Sequence, residues 1–142
     1  MTKRLLRHLS VEAVEAVHDE VLAAHGGMPG LRSRSLLESA IAAPQASYGG
    51  EVLMTNPVEI AAAYLFYLTR NHAFVDGNKR TALASCLLFL QLNDVMPSGS
   101  AKNLDPEAWE ALMIDVGASR LDRDQTTERL RALLKPKRKK TP

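Results

Sequence analysis

Two strongly apolar stretches, residues 57–70 and 78–93, repeat their hydrophobic positions at helical spacing and are separated by one short polar segment. The first carries Val58, Ala61, Ala62, Leu65, Phe66 and Leu68, and the second Leu83, Leu87, Leu88, Phe89, Leu90 and Leu92. Apolar residues cover so much of each circumference that both helices must sit centrally rather than at the surface. A chain of 142 residues is long enough for one hydrophobic core built around such a pair and too short for two.

Capping chemistry marks the other elements. Asn56, Pro57 and Glu59 form the clearest start, with a cap residue, proline at the first helical position and glutamate at the third. Ser10 precedes a stripe of Val11, Val14, Val17, Val21 and Leu22 that Gly26 and Gly27 stop. After the turn Met28-Pro29-Gly30-Leu31, Ser35 and Glu38 have capping-box spacing before a short helix ending near Pro44, and residues 45–55 read as loop. Asp105-Pro106-Glu107 opens a helix through Trp109, Leu112, Met113 and Val116, and an amphipathic helix spans residues 123–134. No alternating run is long enough for a sheet. The expected class is all-α: a single domain over residues 1–134, followed by a basic, disordered tail over residues 135–142.

Composition narrows the function classes. With 46% hydrophobic and 24% charged residues, wholesale disorder is excluded, and the apolar stretches are interrupted before reaching the length of a membrane span. The N-terminal residues carry charge without the apolar core of a signal peptide, so the expected location is cytoplasmic. Cys86 is the single cysteine; lying in an apolar run, it reads as a buried structural thiol. A net charge of +2, with its excess in the tail, gives no basis for nucleic-acid binding. His8, His18 and His25 lack the companions of a metal site, and His18 is assigned no role.

The chemistry concentrates in Asn71-His72-Ala73-Phe74-Val75-Asp76-Gly77-Asn78-Lys79-Arg80-Thr81. Gly77 and Asn78 open the second central helix, whose first-turn N–H groups form an anion site that a glycine lets a phosphate approach closely. Lys79 and Arg80 add cationic donors of the kind phosphoryl transfer requires. Asp76 is a hard-oxygen ligand suited to Mg2+ shared with nucleotide phosphates, and His72 can act as general base toward a hydroxyl. Singly, each of these residues reads as well as a helix cap or a solvated charge. Together, between two buried helices, they form an expensive arrangement for a mere turn, with Phe74 as the anchor that pins the loop.

Residues 72–80 match, at every specified position, the Doc form of the Fic motif, H-x-F-x-D/N-A/G-N-K-R, so the chain resembles the Doc branch of the Fic family. Arg70 before the loop, Thr81-Ala82-Leu83 after it and the upstream Gly26-Gly27-Met28-Pro29-Gly30-Leu31 extend the likeness, which is good over residues 10–93. The resemblance implies an all-helical Fic fold with His72 as catalytic base, Asp76 as magnesium ligand, and Asn78 and Arg80 at the phosphates, where the reading of the loop itself also puts Gly77 and Lys79, Arg70 being a possible support. Fic adenylyltransferases are expected to carry glycine where this chain has Lys79, together with a further arginine not clearly supplied here. A lysine at that position favours phosphorylation by ATP over AMP transfer.

The resemblance further implies a toxin of a toxin–antitoxin pair, acting on a threonine of elongation factor Tu and arresting translation. Its antitoxin would contribute a helix that folds into a groove beside the site. A self-restraining S/T-x-x-x-E-G/N helix is not found, since Ile60 follows the Thr55 and Glu59 spacing. The alternatives are transfer of AMP or another nucleoside monophosphate by the same loop, and a non-catalytic module that binds a partner.

Overall fold

A computed structural model describes residues 5–96 and 105–135. Helix α1 (Val11–His25) begins where the Ser10 hydroxyl accepts the Ala13 N–H and ends at Gly26, in the positive-φ conformation that glycine tolerates. Helix α2 (Arg34–Ala42) runs into a single 3-10 turn, Ala43–Gln45. Helix α3 (Pro57–Asn71) starts as its sequence predicts, with the Asn56 side chain accepting from both Val58 and Glu59. Helix α4 (Asn78–Leu92) follows the polar loop, then α5 (Pro106–Gly117) behind the Asp105 cap. A reciprocal Asp122–Gln125 capping box opens α6 (Arg123–Leu134).

The architecture is all-α, as expected, with α3 at its centre. It packs on α4 along its length and touches α2, α5 and α6, while α1 lies across α4. Ile60, Tyr64 and Leu65 of α3, Phe89 and Leu90 of α4, Leu37, Leu112 and Leu130 are all fully buried in one core. Trp109 and Cys86 belong to it as well. No helix among the described residues is long and apolar enough to cross a membrane.

Two expectations need correction. The α2 cap is Ser33, whose hydroxyl accepts from Leu36 N, and not Ser35. Arg32 and Ser33 both donate their N–H to Ala73 O, so the chain is still extended at Ser33 and turns helical immediately after it. Glu38 is consequently no capping partner and lies 3.5 Å from Arg34 as an i,i+4 ion pair. Within the expected loop, Ser47–Tyr48 (β1) and Glu51–Val52 (β2) form a small antiparallel hairpin across Gly49 and Gly50, both at positive φ. All four strand residues are exposed, so no buried face imposed an alternating pattern that the sequence could display. The basic tail, beyond Lys135, lies outside the described residues.

Candidate active site

Chain direction reverses at His72, the C-cap of α3, which sits in the left-handed region at φ 47°, ψ 51°. Arg32 holds this end: its Nε donates to His72 O at 2.8 Å and its Nη2 to Asn71 O at 3.3 Å. A cation on the last carbonyls of a helix satisfies acceptors that have no intrahelical partner. The neighbouring backbone is strapped to the turn after α1, since Ala73 O accepts from Arg32 N at 2.7 Å and Val75 N donates to Gly30 O at 3.0 Å. Leu31 and Phe74 form an isolated antiparallel bridge.

Inside the loop, Asn78 closes a ring with Phe74. Its Oδ1 accepts Phe74 N–H at 3.0 Å and its Nδ2 donates to Phe74 O at 2.9 Å. The Asn78 side chain is thus occupied in shaping the loop, which leaves its backbone N–H, in the first turn of α4, as the group that could meet an anion. Gly77 is the N-cap of α4, at φ 78° and with no side-chain cap, so beyond its own N–H, which Asp76 takes, the first-turn N–H groups of the helix have no capping side chain.

Asp76 is gripped on both carboxylate oxygens: Oδ2 accepts Met28 N–H at 3.1 Å and Oδ1 accepts Gly77 N–H at 2.9 Å. Its exposed side chain keeps lone pairs for a cation. One oriented carboxylate suits magnesium, which completes its shell with phosphate and water, better than a metal needing an all-protein cage; no cluster of three potential ligands occurs among the described residues. Gly27 accounts for the close approach, because a β-carbon there would lie 2.9 Å from Asp76 Oδ2, and its φ of +124° also favours glycine.

A cleft of about 680 Å³ gathers His72, Asp76, Gly77, Asn78, Lys79 and Arg80 on one wall, opposite Glu110, Met113 and Ile114 of α5. Lys79 crosses the end of α5 so closely that a β-carbon on Gly117 would sit 2.5 Å from its Cδ. A second, more apolar hollow of about 300 Å³ adjoins through Arg80 and Glu110, lined by Leu83, Leu87 and Trp109. Phe74 is buried beneath the loop. Arg70 is not among the residues of the cleft; its guanidinium lies over the Phe66 ring at 5.3 Å.

Sequence reasoning missed His18, Arg32 and Gly117. His18 is 3% exposed, its Nε2 lies 2.8 Å from Asp76 O, and its ring stacks on Phe74 with centroids 3.9 Å apart. A polar residue on the apolar face of α1 was the available signal. The other two act through contacts that helical periodicity does not encode.

Fold and cleft define an all-helical domain in which a preorganised loop carrying an imidazole, a carboxylate and two cationic side chains joins the two central helices. The chain belongs to the Fic/DOC family, whose model matches residues 8–90. It is 40% identical over 100 residues to "Protein kinase doc" of Escherichia phage P1, a match covering 70% of this chain and 79% of that protein. A second relative, "Toxin Doc" of Mycolicibacterium smegmatis, is 40% identical over 107 residues, or 75% of this chain and 80% of its own. The likeness to both relatives puts the chain on the Doc branch of the family.

Proposed function

We propose that the chain is a toxin that transfers the γ-phosphoryl group of ATP to a protein hydroxyl. The observation that carries this reading is the convergence of His72, Asp76, Lys79, Arg80 and the uncapped start of α4 on one cleft. The names of the two relatives, a protein kinase and a toxin, point the same way. The acceptor that the Doc resemblance suggests is a threonine of elongation factor Tu in the cytoplasm, with arrested translation as the consequence. A cognate antitoxin whose helix docks in a groove beside the cleft would hold the toxin in check.

In this reading the acceptor oxygen attacks the γ-phosphorus, a new O–P bond forms, the bond to the β,γ-bridging oxygen breaks and ADP leaves. His72 takes the hydroxyl proton. Asp76 would hold Mg2+, which supplies charge neutralisation to the phosphates when bound. The first-turn N–H groups of α4 orient the phosphate chain, and Lys79 and Arg80 meet the negative charge that spreads over the transferring group. Both Asp76 hydrogen bonds come from backbone N–H, so its carboxylate is set before any ligand arrives.

The test is to incubate the protein with elongation factor Tu, magnesium and ATP and to read the added mass by intact-protein mass spectrometry, with His72→Asn as control. A phosphate-sized gain that needs His72 supports the proposal. An AMP-sized gain would move the chain to nucleotidyl transfer, and toxicity that survives His72→Asn would leave a binding module.

A further inference from the structure

The geometry points to His18 as a positioning residue of this site: its imidazole holds the Asp76–Gly77 peptide so that the carboxylate and the start of α4 face the cleft together. The inference deepens the proposed function, since it rests on Asp76 and α4 being the metal and phosphate groups.

Three observations carry it. First, His18 Nε2 can meet Asp76 O at 2.8 Å only as a donor, because a carbonyl oxygen has no proton to give, so the proton at Nε2 is fixed by the partner. Second, the ring lies 9° from parallel with Phe74 at a centroid distance of 3.9 Å. The imidazole is therefore locked by the same loop it supports, which Asn78 closes at Phe74 N and O. Third, a β-carbon on Gly77 would lie 3.6 Å from His18 Nε2, so the ring also backs the residue at which α4 begins.

Asp76 is consequently held at three points by three segments. Its carbonyl is fixed from α1 by His18, its Oδ2 by Met28 N of the following turn, and its Oδ1 by Gly77 N of its own loop. Releasing the carbonyl frees the peptide plane to rotate about its Cα–Cα axis, which swings the Asp76 C=O and the Gly77 N–H in opposite senses and draws that N–H away from Asp76 Oδ1. Hydrogen bonds that orient a metal ligand through its other atoms are worth about 10- to 100-fold in metal affinity or activity when removed. Burial alone would not demand a donor here, since a phenylalanine could fill the same space against Phe74.

Two substitutions separate the donor from the packing. His18→Phe keeps a ring against Phe74 and removes the N–H, whereas His18→Gln gives up the ring and restores a donor at similar reach. Amide exchange by NMR reports the clamp without any ligand, and calorimetric titration with Mg·ATP reports its consequence. With His18→Phe, protection at Met28 and Gly77 is lost while Leu65 and Phe89 in the core keep theirs, and Mg·ATP binds about 10- to 100-fold more weakly. His18→Gln recovers most of both. Wild-type exchange at Met28 and Gly77 in His18→Phe, or a His18→Gln protein as impaired as His18→Phe, overturns the inference and leaves His18 a packing residue. Should the wild-type protein itself fail to bind Mg·ATP, the phosphate-site reading falls and the exchange comparison still decides the clamp.

Discussion

At His72 the backbone lies in the left-handed region, where a residue with a β-carbon pays about 1 kcal/mol or more. This sets which substitution tests His72 as the proposed base. Asparagine tolerates that region far better than alanine, so His72→Asn removes the imidazole with little change in the turn that Arg32 caps. Its activity should fall about 10²- to 10⁴-fold, the usual contribution of a general base, with the melting temperature held. A fall in both would mean that the turn had been lost as well. Gly117 offers a test at the end of α5, beside Lys79. Its φ is not positive, so the backbone accepts alanine, yet the new β-carbon would meet Lys79 Cδ at 2.5 Å and push the side chain aside. Gly117→Ala should weaken Mg·ATP binding by up to about tenfold, a partial loss of a charge-assisted hydrogen bond, with unchanged urea stability. An unaltered affinity would show that the Lys79 ammonium does not reach the phosphates.

Among the elements, the junction between α3 and α4 depends on the Asn78–Phe74 ring more than on the motif's charges. Asn78→Ala deletes both hydrogen bonds and leaves the half-buried Phe74 backbone to find other partners, at a cost of about 1–3 kcal/mol. Urea denaturation should register that loss without nucleotide present; an unchanged midpoint would mean that water replaces the amide. Much of this layout is legible in the sequence. Ser10, Asn56 and Asp105 are caps whose partners lie two or three residues ahead, and local chemistry of that kind is written in sequence order. The cap of α2 was misread because Ser33 is held extended by Ala73, forty residues further on, and nothing near Ser35 reports that bond. The candidate site divides in the same way. His72, Asp76, Lys79 and Arg80 stand together in the chain and could be found as a cluster. His18, Arg32 and Gly117 come to it from α1, the strap and the end of α5, and only packing brings them there.

Over the whole molecule, three ionisable groups, the buried Tyr64 and Cys86 and the half-buried His8, should bound the pH range of stability. On the N-terminal side, His8 Nδ1 lies 2.8 Å from the hydroxyl of Tyr64, which also accepts Leu9 N–H at 3.1 Å. Burial lowers the His8 pKa from its ordinary 6.5. The unfolded chain therefore takes up a proton as pH falls through 6.5 while the folded chain resists it, so stability is complete above 6.5 and declines below it until the folded pKa is reached. On the alkaline side, burial pushes Cys86 up from 9.0 to about 12 and Tyr64 up from 10.0 to about 12. Here the unfolded chain releases protons first, and stability erodes from pH 9 toward 12. Asp115 is held below its ordinary 3.8 by hydrogen bonds from Arg120 and then Arg129, so its contribution is retained at pH 5 and fades only in stronger acid. Urea midpoints should accordingly be level between about pH 7 and pH 8.5 and lower at both pH 5 and pH 10.5, each shift following from the free-energy equivalence of a displaced pKa. Cys86→Ala provides the check. Its cavity lowers the midpoint at every pH, but the fall between pH 8.5 and 10.5 becomes shallower; an alkaline slope unchanged by the substitution would remove Cys86 from the account and leave Tyr64 as its source.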